Sequence, residues 1–333
     1  MNAAATAEIT KSFNADFSPG KAARPILFLT IKNGAAHTKA AEAIASAWQA
    51  INRKIPTRIV EVSEFMSPLA RFTHVSAYLW LVKNAPRIWE KIDDYQKRQT
   101  QTSPEWFYRR ECRKLFELVE EIQPAAIIAT EVGCSEIAAL IKRDLKLNVP
   151  LVAVNLDYDT DRAWIQPETD LYCLATFLIK KDFLRLGADA EKTKVWGAPL
   201  DSEFKRLSDA KRQMERKKIC EWLKLNKDEP IVLVSGGGEG LGKIESVVKQ
   251  LVDLPAQLVV LTGRNRKLKA SLERFERSAG RVRILGWTDK VPNLMQAADI
   301  LISKLGLTFY EAMACGLPII ALEPPPGAER IQY

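Results

Sequence analysis

The sequence predicts an α/β protein with two domains, each built around a parallel sheet. Short apolar segments alternate with helical segments along the chain, and this alternation is typical of parallel strands with helices packed against them. The chain has 333 residues, and single hydrophobic cores seldom extend beyond about 250–300 residues. Hydrophobic residues make up 47% and charged residues 27% of the sequence, which is a globular composition with enough apolar material for two cores.

We divide the chain into a loose leader, residues 1–24, a first domain, residues 25–200, and a second domain, residues 201–333. The leader is small and polar and shows no periodicity, whereas each domain contains apolar segments of strand length. In the first domain the predicted strands are residues 25–31, 57–62, 125–130 and 149–155. In the second domain they are residues 230–235, 258–262, 282–285, 300–303 and 318–322. Functional residues are expected where such strands end, because the carboxyl ends of parallel strands form the cleft.

The segment 300–327 reads as one βαβ unit, with a glycine turn at Gly306, a helix that opens near Thr308 and a helix stop at Gly316. A strand that feeds a glycine turn and a helix N-terminus directs backbone N–H groups and the positive end of the helix dipole toward one point, which suits a phosphate. Glu311, in the first turn of that helix, is close enough to accept hydrogen bonds from ribose hydroxyls. The same spacing is equally typical of an ordinary βαβ unit whose glycines only close turns.

A second glycine-rich turn, Gly236-Gly237-Gly238, follows the predicted strand 230–235 and precedes a predicted helix. Consecutive glycines let the backbone approach a pyrophosphate without collision with side chains. The signal is weak alone, since dehydrogenases use a related turn.

Two residues at strand ends of the first domain are candidate general bases. His37 follows the first strand, where an imidazole could take a proton from an acceptor hydroxyl or help to bind phosphates. A single histidine after a strand is more often structural. Glu131 follows the strand 125–130 and is the second candidate, and Asp157 lies at the next strand end.

No metal site is predicted. The five cysteines are scattered without a CxxC pair, and we expect reduced, mostly buried thiols. Acidic residues from Asp157 to Glu168 have the spacing of a calcium loop, but Arg162 stands where that loop needs glycine and a strand precedes it.

The segment 72–97 combines aromatic and basic residues at helical spacing. Trp80 and Trp89 add bulk, and Lys83, Arg87 and Lys91 recur every four residues along one side. Such a segment can lie on an anionic bilayer, which a net charge of +8 also favours. A helix pair packed on the domain with a solvated basic edge explains the pattern equally well.

No segment approaches the roughly 18 apolar residues of a membrane-spanning helix, and the N-terminus lacks a basic start followed by an apolar core. We therefore expect the protein to stay in the cytoplasm.

The segment SKLGLTFYEAMACGLP, residues 303–318, followed by PPPGAE, residues 324–329, resembles a known donor-site signature. It is that of the glycosyltransferases that include monogalactosyldiacylglycerol synthases, bacterial diacylglycerol glucosyltransferases and the peptidoglycan-lipid N-acetylglucosaminyltransferase. The segment KNGAAHTKAAEAI, residues 32–44, is similar to the GGGH turn and first helix of that family. Two of the turn's three glycines are alanines here, so the loop must be stiffer or differently bent. The turn Ser303-Lys304-Leu305-Gly306 also lacks the proline and one of the glycines of the usual family form, SKPGGLT.

The resemblance implies a GT-B fold, in which two doubly wound parallel-sheet domains face each other across a cleft. The second domain would bind the donor and the first the acceptor, and the second domain would be incomplete at Tyr333, because relatives continue with another helix. The implied nucleotide-sugar contacts are phosphates at Gly306, Leu307 and Thr308, ribose at Glu311, sugar at Gly327, Glu329 and Gln332, uracil near Gly286 and Trp287, and further donor contacts at Arg264 and at Gly236, Gly237 and Gly238. His37 or Glu131 would be the catalytic base.

These observations favour an inverting, metal-independent glycosyltransferase that moves a hexose from a UDP-sugar to a lipid acceptor such as diacylglycerol. The expected partners are the UDP-sugar, the lipid and an anionic membrane surface on the cytoplasmic side, with no further cofactor and no nucleic acid. Two alternatives remain. One is an enzyme like UDP-N-acetylglucosamine 2-epimerase, and the other is a non-catalytic, membrane-associated protein that binds UDP-sugars.

Overall fold

Two parallel sheets form the core of the protein in a computed structural model that describes residues 24–32 and 35–322. The first sheet has six strands in the order β2-β1-β3-β4-β5-β6, and the second has five in the order β11-β10-β7-β8-β9. The first-sheet strands are β1 Ile26–Thr30, β2 Thr57–Glu61, β3 Ala126–Ala129, β4 Leu151–Asn155, β5 Leu171–Leu174 and β6 Thr193–Val195. The second-sheet strands are β7 Ile231–Ser235, β8 Gln257–Leu261, β9 Val282–Leu285, β10 Ile300–Ser303 and β11 Ile319–Ala321. The fold class predicted from the sequence is confirmed.

Helices connect the strands of both sheets. In the first half they are α1 Ala36–Ile51, α2 Pro68–Arg71, α3 Ala77–Asn84, α4 Pro86–Gln96, α5 Glu105–Glu111, α6 Arg113–Ile122, α7 Val132–Asp144 and α8 Phe177–Arg185. In the second half they are α9 Asp209–Leu223, α10 Ile244–Leu251, α11 Arg266–Ala279, α12 Val291–Ala297 and α13 Leu307–Cys315. None of the helices in the described ranges is both long and apolar enough to span a bilayer.

The central strands are mainly apolar because helices cover both faces of each sheet. Every residue of β1 and of β8 is buried, as expected for strands inside a doubly covered parallel sheet. The C-terminal part of α9, with Ile219 and Leu223, packs into the core of the second sheet. This packing supports the boundary near residue 200, which stays a prediction.

Each sheet reverses its strand order at one place, and ligands of open α/β sheets bind at the carboxyl edge of such a switch point. In the first sheet the switch lies between β1 and β3, and His37 and Glu131 follow these two strands. In the second sheet it lies between β7 and β10, which are followed by Gly236 and Gly306. The topology therefore brings the predicted functional residues of each domain to one edge of its sheet.

The sequence predicted a helix directly after the glycines 236–238, and this prediction is wrong. The next helix, α10, begins only at Ile244. Gly237, Gly240 and Gly242 have φ of +69°, +59° and +93°. These are left-handed conformations that an α-helix cannot contain. The segment is therefore a turn, and no helix dipole points from Gly238.

The predicted aromatic and basic segment forms a helical hairpin, which we define as residues 68–96. A π-helix, Phe72–Ser76, joins α2 to α3, and α3 ends at Asn84 and is followed by Ala85, whose φ is −139°. The break at Ala85 follows from Pro86, because a proline disfavours the helical conformation in the residue before it. The chain then turns back into α4.

Candidate functional site

A cleft with a cavity volume of about 480 Å³ lies between the carboxyl edges of the two sheets. This volume falls within the usual range of small-molecule sites. Residues of the first domain that line it include Ala35, His37, Lys39, Tyr78, Val82, Leu156, Asp157 and Tyr158. Residues of the second domain that line it include Gly236, Gly237, Gly238, Glu239, Gly263, Gly286, Trp287, Lys304, Gly306, Leu307, Thr308 and Glu311. Every nucleotide-sugar residue predicted within the described ranges lines this cleft except Arg264, which flanks it.

The glycine turn after β7 is held by direct backbone contact with the turn after β8. The N–H of Arg264 donates to the carbonyl oxygen of Gly238 at 2.8 Å. A Cβ on Gly263 would lie 2.2 Å from that same oxygen, and φ at Gly263 is +56°. Glycine at position 263 is therefore required by both space and conformation. The predicted site residues do not include Gly263, although a glycine directly after a strand was a usable signal.

Arg264 and Trp287 form one wall beside this turn. The guanidinium carbon of Arg264 lies 3.7 Å from the ring centroid of Trp287, within the range of a cation–π contact. Nη1 of Arg264 also lies 3.3 Å from Oε1 of Glu239. Trp287 keeps 46% of its surface exposed and lines the cleft. The arginine therefore holds an exposed aromatic ring beside the glycine backbone.

His37 has a defined tautomer. Its Nδ1 lies 2.7 Å from the backbone oxygen of Thr130 at the end of β3. A carbonyl oxygen can only accept, so Nδ1 carries the proton in this hydrogen bond. In the neutral ring Nε2 then carries a lone pair, which is the form that a general base requires.

Glu131 lies at the expected strand end, but its carboxylate has a different task. Oε2 accepts the backbone N–H of Cys134 at 3.0 Å and so caps the N-terminus of α7. Glu131 is not among the residues that line the cleft. Of the two candidate bases, His37 lines the cleft and Glu131 does not.

Glu311 is the fifth residue of α13, because this helix begins at Leu307 and not at Thr308. The expected position in the first turn is therefore corrected to the second. Burial raises the pKa of Glu311 to about 7, while Lys39 and a hydrogen bond with Thr308 oppose the rise and Asp201 adds to it. Near neutral pH this carboxyl group is poised between its neutral and ionised forms.

Two lysines that the sequence analysis did not assign also line the cleft. Lys304 follows β10, and its Cε lies 3.7 Å from the position of a Cβ built on Gly237. Lys39 lies on α1, two residues after His37, and pairs with Glu42 at 2.7 Å. The cleft therefore contains positive charge from both domains. Among the described residues, no group of three or more histidine, cysteine, aspartate or glutamate side chains is placed to hold a metal ion.

The predicted membrane residues differ in exposure. Trp80 is 60% exposed, and Arg87 and Lys91 are also exposed. Trp89 is half-buried and packs edge-on against Tyr78, with ring centroids 4.7 Å apart. The contact makes Trp89 a packing residue between α3 and α4. Further exposed apolar side chains on the same hairpin are Leu69, Phe72, Ile88 and Tyr95.

Some predicted residues cannot be placed. Gly327, Glu329 and Gln332 lie outside the described residues, and nothing is described of the Lys83 side chain.

The two facing sheets and the glycine-lined cleft define a protein with the GT-B architecture. In agreement with this, residues 37–200 match the family model for monogalactosyldiacylglycerol (MGDG) synthase, and residues 241–332 match the model for glycosyl transferases group 1. These matches show the domain of the monogalactosyldiacylglycerol synthase family in the first half of the chain and that of the group 1 glycosyl transferases in the second half.

Two relatives illustrate the sequence similarity. A processive diacylglycerol beta-glucosyltransferase of Bacillus licheniformis is 27% identical over 316 residues, which cover 92% of this chain and 79% of that protein. The protein of the same name from Staphylococcus haemolyticus is 31% identical over 225 residues, or 65% of this chain and 54% of that protein. The match therefore spans about half the length of the second relative.

Solved structures share the fold. Anabaena HepE in complex with UDP and glucose has a TM-score of 0.53 at 16% identity, covering 90% of this chain and 80% of that chain. UDP-GlcNAc 2-epimerase from Neisseria meningitidis, bound to UDP-GlcNAc, has a TM-score of 0.55 at 13% identity, covering 92% and 84%. Because a protein bound to UDP and glucose and an epimerase both share the fold, the fold alone does not identify the reaction.

Proposed function

We propose that the protein is an inverting glycosyltransferase that moves a hexose from a UDP-sugar to a lipid acceptor such as diacylglycerol. The observation that carries this proposal is the cleft itself, where His37 with a free Nε2 lone pair faces a donor-type glycine site. The names of the sequence relatives support the lipid acceptor. The donor in this proposal is a UDP-hexose, and no metal or further cofactor takes part.

The second domain binds the donor through its backbone. The UDP diphosphate lies along Gly236, Gly237 and Gly238 and reaches the first N–H groups of α13, where the helix dipole favours negative charge. Lys304 adds a cation beside these glycines, and Glu311 accepts hydrogen bonds from the ribose. Trp287 contacts the uracil.

The chemical step is a single displacement. Nε2 of His37 removes the proton from the acceptor hydroxyl while the oxygen attacks the anomeric carbon. The bond from that carbon to the UDP oxygen breaks on the opposite face, and the configuration inverts. The Nδ1–H group keeps its hydrogen bond to the backbone oxygen of Thr130, and this bond stabilises the imidazolium that forms. The donor turn, Gly306 to Thr308, meets the charge that develops on UDP.

The helical hairpin brings the protein to its acceptor. Leu69 (74% exposed), Phe72 (60%) and Trp80 (60%) provide apolar surface, and Arg87 and Lys91 provide positive charge. Such a surface binds peripherally to an anionic bilayer. We place the protein in the cytoplasm, on the inner face of the membrane.

Turnover products separate this proposal from its alternatives. The full chain is incubated with labelled UDP-glucose, UDP-galactose or UDP-N-acetylglucosamine and with a membrane lipid extract. A labelled lipid that the His37→Ala variant fails to make supports the transferase. A converted free nucleotide sugar would instead identify an epimerase, and UDP binding without any turnover would identify an inert binding protein.

A further inference from the structure

The loop after β4, residues 156–161, contacts both the helical hairpin and the donor turn, and we call it the bridge loop. On the hairpin side, Nζ of Lys97 lies 2.7 Å from Oδ2 of Asp93 and also pairs with Asp159 of the loop. Lys97 directly follows α4 and is only 28% exposed in its side chain. Although burial opposes it, hydrogen bonds with Asp159 and Asp93 raise the pKa of Lys97 above its ordinary value. The lysine therefore fastens the end of the hairpin to the loop.

On the donor side, Tyr158 of the same loop packs on the first turn of α13. Its ring is stacked on that of Tyr310, with centroids 5.0 Å apart and an interplanar angle of 7°. It also meets Phe309 edge-on at 6.0 Å. Its hydroxyl donates to the carbonyl oxygen of Gly306 at 3.5 Å. One side chain of the first domain thus contacts the turn proposed to hold the diphosphate.

The position of the bridge loop depends on Lys97. Asp159 and Asp161 of the loop lie near enough to Asp93 of α4 for these like charges to repel one another. Burial raises the pKa of Asp161 to about 7, with further rises from Asp93, Asp159 and Asp157, whereas Lys97 opposes the rise. Without the lysine, Asp93 and Asp159 lose the counter-charge that they share, and with it the ion pair that joins the loop to the hairpin.

We propose that Tyr158 is a positioning residue for the donor turn and that Lys97 connects it to the hairpin, so that UDP binding and membrane binding strengthen each other. This inference rests on the proposed membrane contact of the hairpin. It adds a thermodynamic coupling between two sites that the transfer reaction itself does not require.

The coupling is measured by titrating UDP into the full chain, with and without vesicles of equal parts phosphatidylcholine and phosphatidylglycerol. We expect vesicles to tighten UDP binding by about fivefold or more, the lower end of typical allosteric coupling. Because coupling of two binding equilibria is reciprocal, UDP should tighten vesicle binding by the same factor. This second titration needs no catalysis.

Four variants test the route. Lys97→Met and Tyr158→Leu should bring the factor by which vesicles tighten UDP binding close to one. Vesicle binding without UDP should stay near the wild-type value. Tyr158→Phe keeps the stacked ring and should keep most of the factor. The matched control is Lys217→Met, which removes an exposed lysine paired with Glu221 on α9 at 3.9 Å and should leave the factor unchanged.

A double variant that exchanges the charges of Lys97 and Asp159 distinguishes loss of the ion pair from misfolding. Combining Lys97→Glu with Asp159→Lys should restore part of the factor that either change alone removes. The inference is overturned if the wild type binds vesicles and UDP independently, or if Lys97→Met and Tyr158→Leu keep the full factor. Absence of vesicle binding overturns both this inference and the membrane proposal. Sugar transfer to lipid in detergent micelles tests the proposed reaction separately.

Discussion

Replacing Glu311 with glutamine should stabilise the folded chain above neutral pH and weaken its binding of UDP. Burial raises the pKa of this group from 4.5 to about 7, so the folded state holds a proton that the unfolded state releases. Stability therefore falls as the pH rises from about 4.5 to about 7, and the full cost is present above that window. At about 1.36 kcal/mol per pKa unit, the gap corresponds to roughly 3 kcal/mol.

Glutamine carries no charge at any pH, so the variant does not lose this stability as the pH rises. In urea unfolding we expect Glu311→Gln to exceed the wild type by up to about 3 kcal/mol near pH 8 and to match it near pH 4. Calorimetry should show UDP binding weakened by about 1–2 kcal/mol, since a charge-assisted hydrogen bond is replaced by a neutral one. Glu245→Gln is the control, because Glu245 is only half-buried and hydrogen bonding with Lys249 lowers its pKa. Unchanged stability of Glu311→Gln near pH 8, or unchanged UDP affinity, would refute the reasoning.

Four further predictions concern the cleft, the base, the membrane face and metal dependence. Gly263→Ala should abolish UDP binding and destabilise the fold by at least about 1–3 kcal/mol, because its Cβ would clash with a backbone oxygen; intact UDP affinity by calorimetry would contradict this. His37→Ala should lower turnover about 10²–10⁴-fold with UDP affinity preserved, whereas Glu131→Gln should lower it far less; steady-state kinetics that reverse this order would make Glu131 the base. Replacing Arg87 and Lys91 with glutamine should weaken binding to anionic vesicles in flotation assays, and added salt should weaken wild-type binding; indifference to both would leave the hairpin as a packed helix pair. EDTA should leave sugar transfer unchanged, and a loss restored by magnesium or manganese would contradict the metal-free mechanism.

Local sequence patterns were sufficient to predict the strands that carry the site. Apolar segments that lead into glycine turns gave β7 and β10 to within a residue, because a doubly covered parallel strand is mainly apolar. The same reasoning placed His37 and Glu131 at strand ends. It could not show where their side chains turn. A glutamate between a strand and a helix can either cap that helix or act as a base in the cleft. Only the folded structure shows which way its side chain turns.

The remaining features depend on contacts between distant residues. The pair of Lys97 and Asp159 joins residues that are far apart in sequence, and no periodicity indicates it. The raised pKa of Glu311 depends on its burial in the folded chain, and Lys39, which is distant in sequence, opposes the rise. The prediction of a helix after the three glycines was wrong because glycines in and after this turn adopt left-handed conformations. Glycine permits such a conformation but does not require it, so the sequence alone could not show it.

The methyl of Ala35 lies where the two domains meet. A Cβ built on Gly238 would lie only 2.9 Å from the Cβ of Ala35, so Ala35 lies against the glycine turn after β7. A diphosphate that lies along Gly238 would have to share this narrow space with the methyl. Alanine in place of glycine at position 35 therefore leaves less room between the domains at the proposed phosphate site.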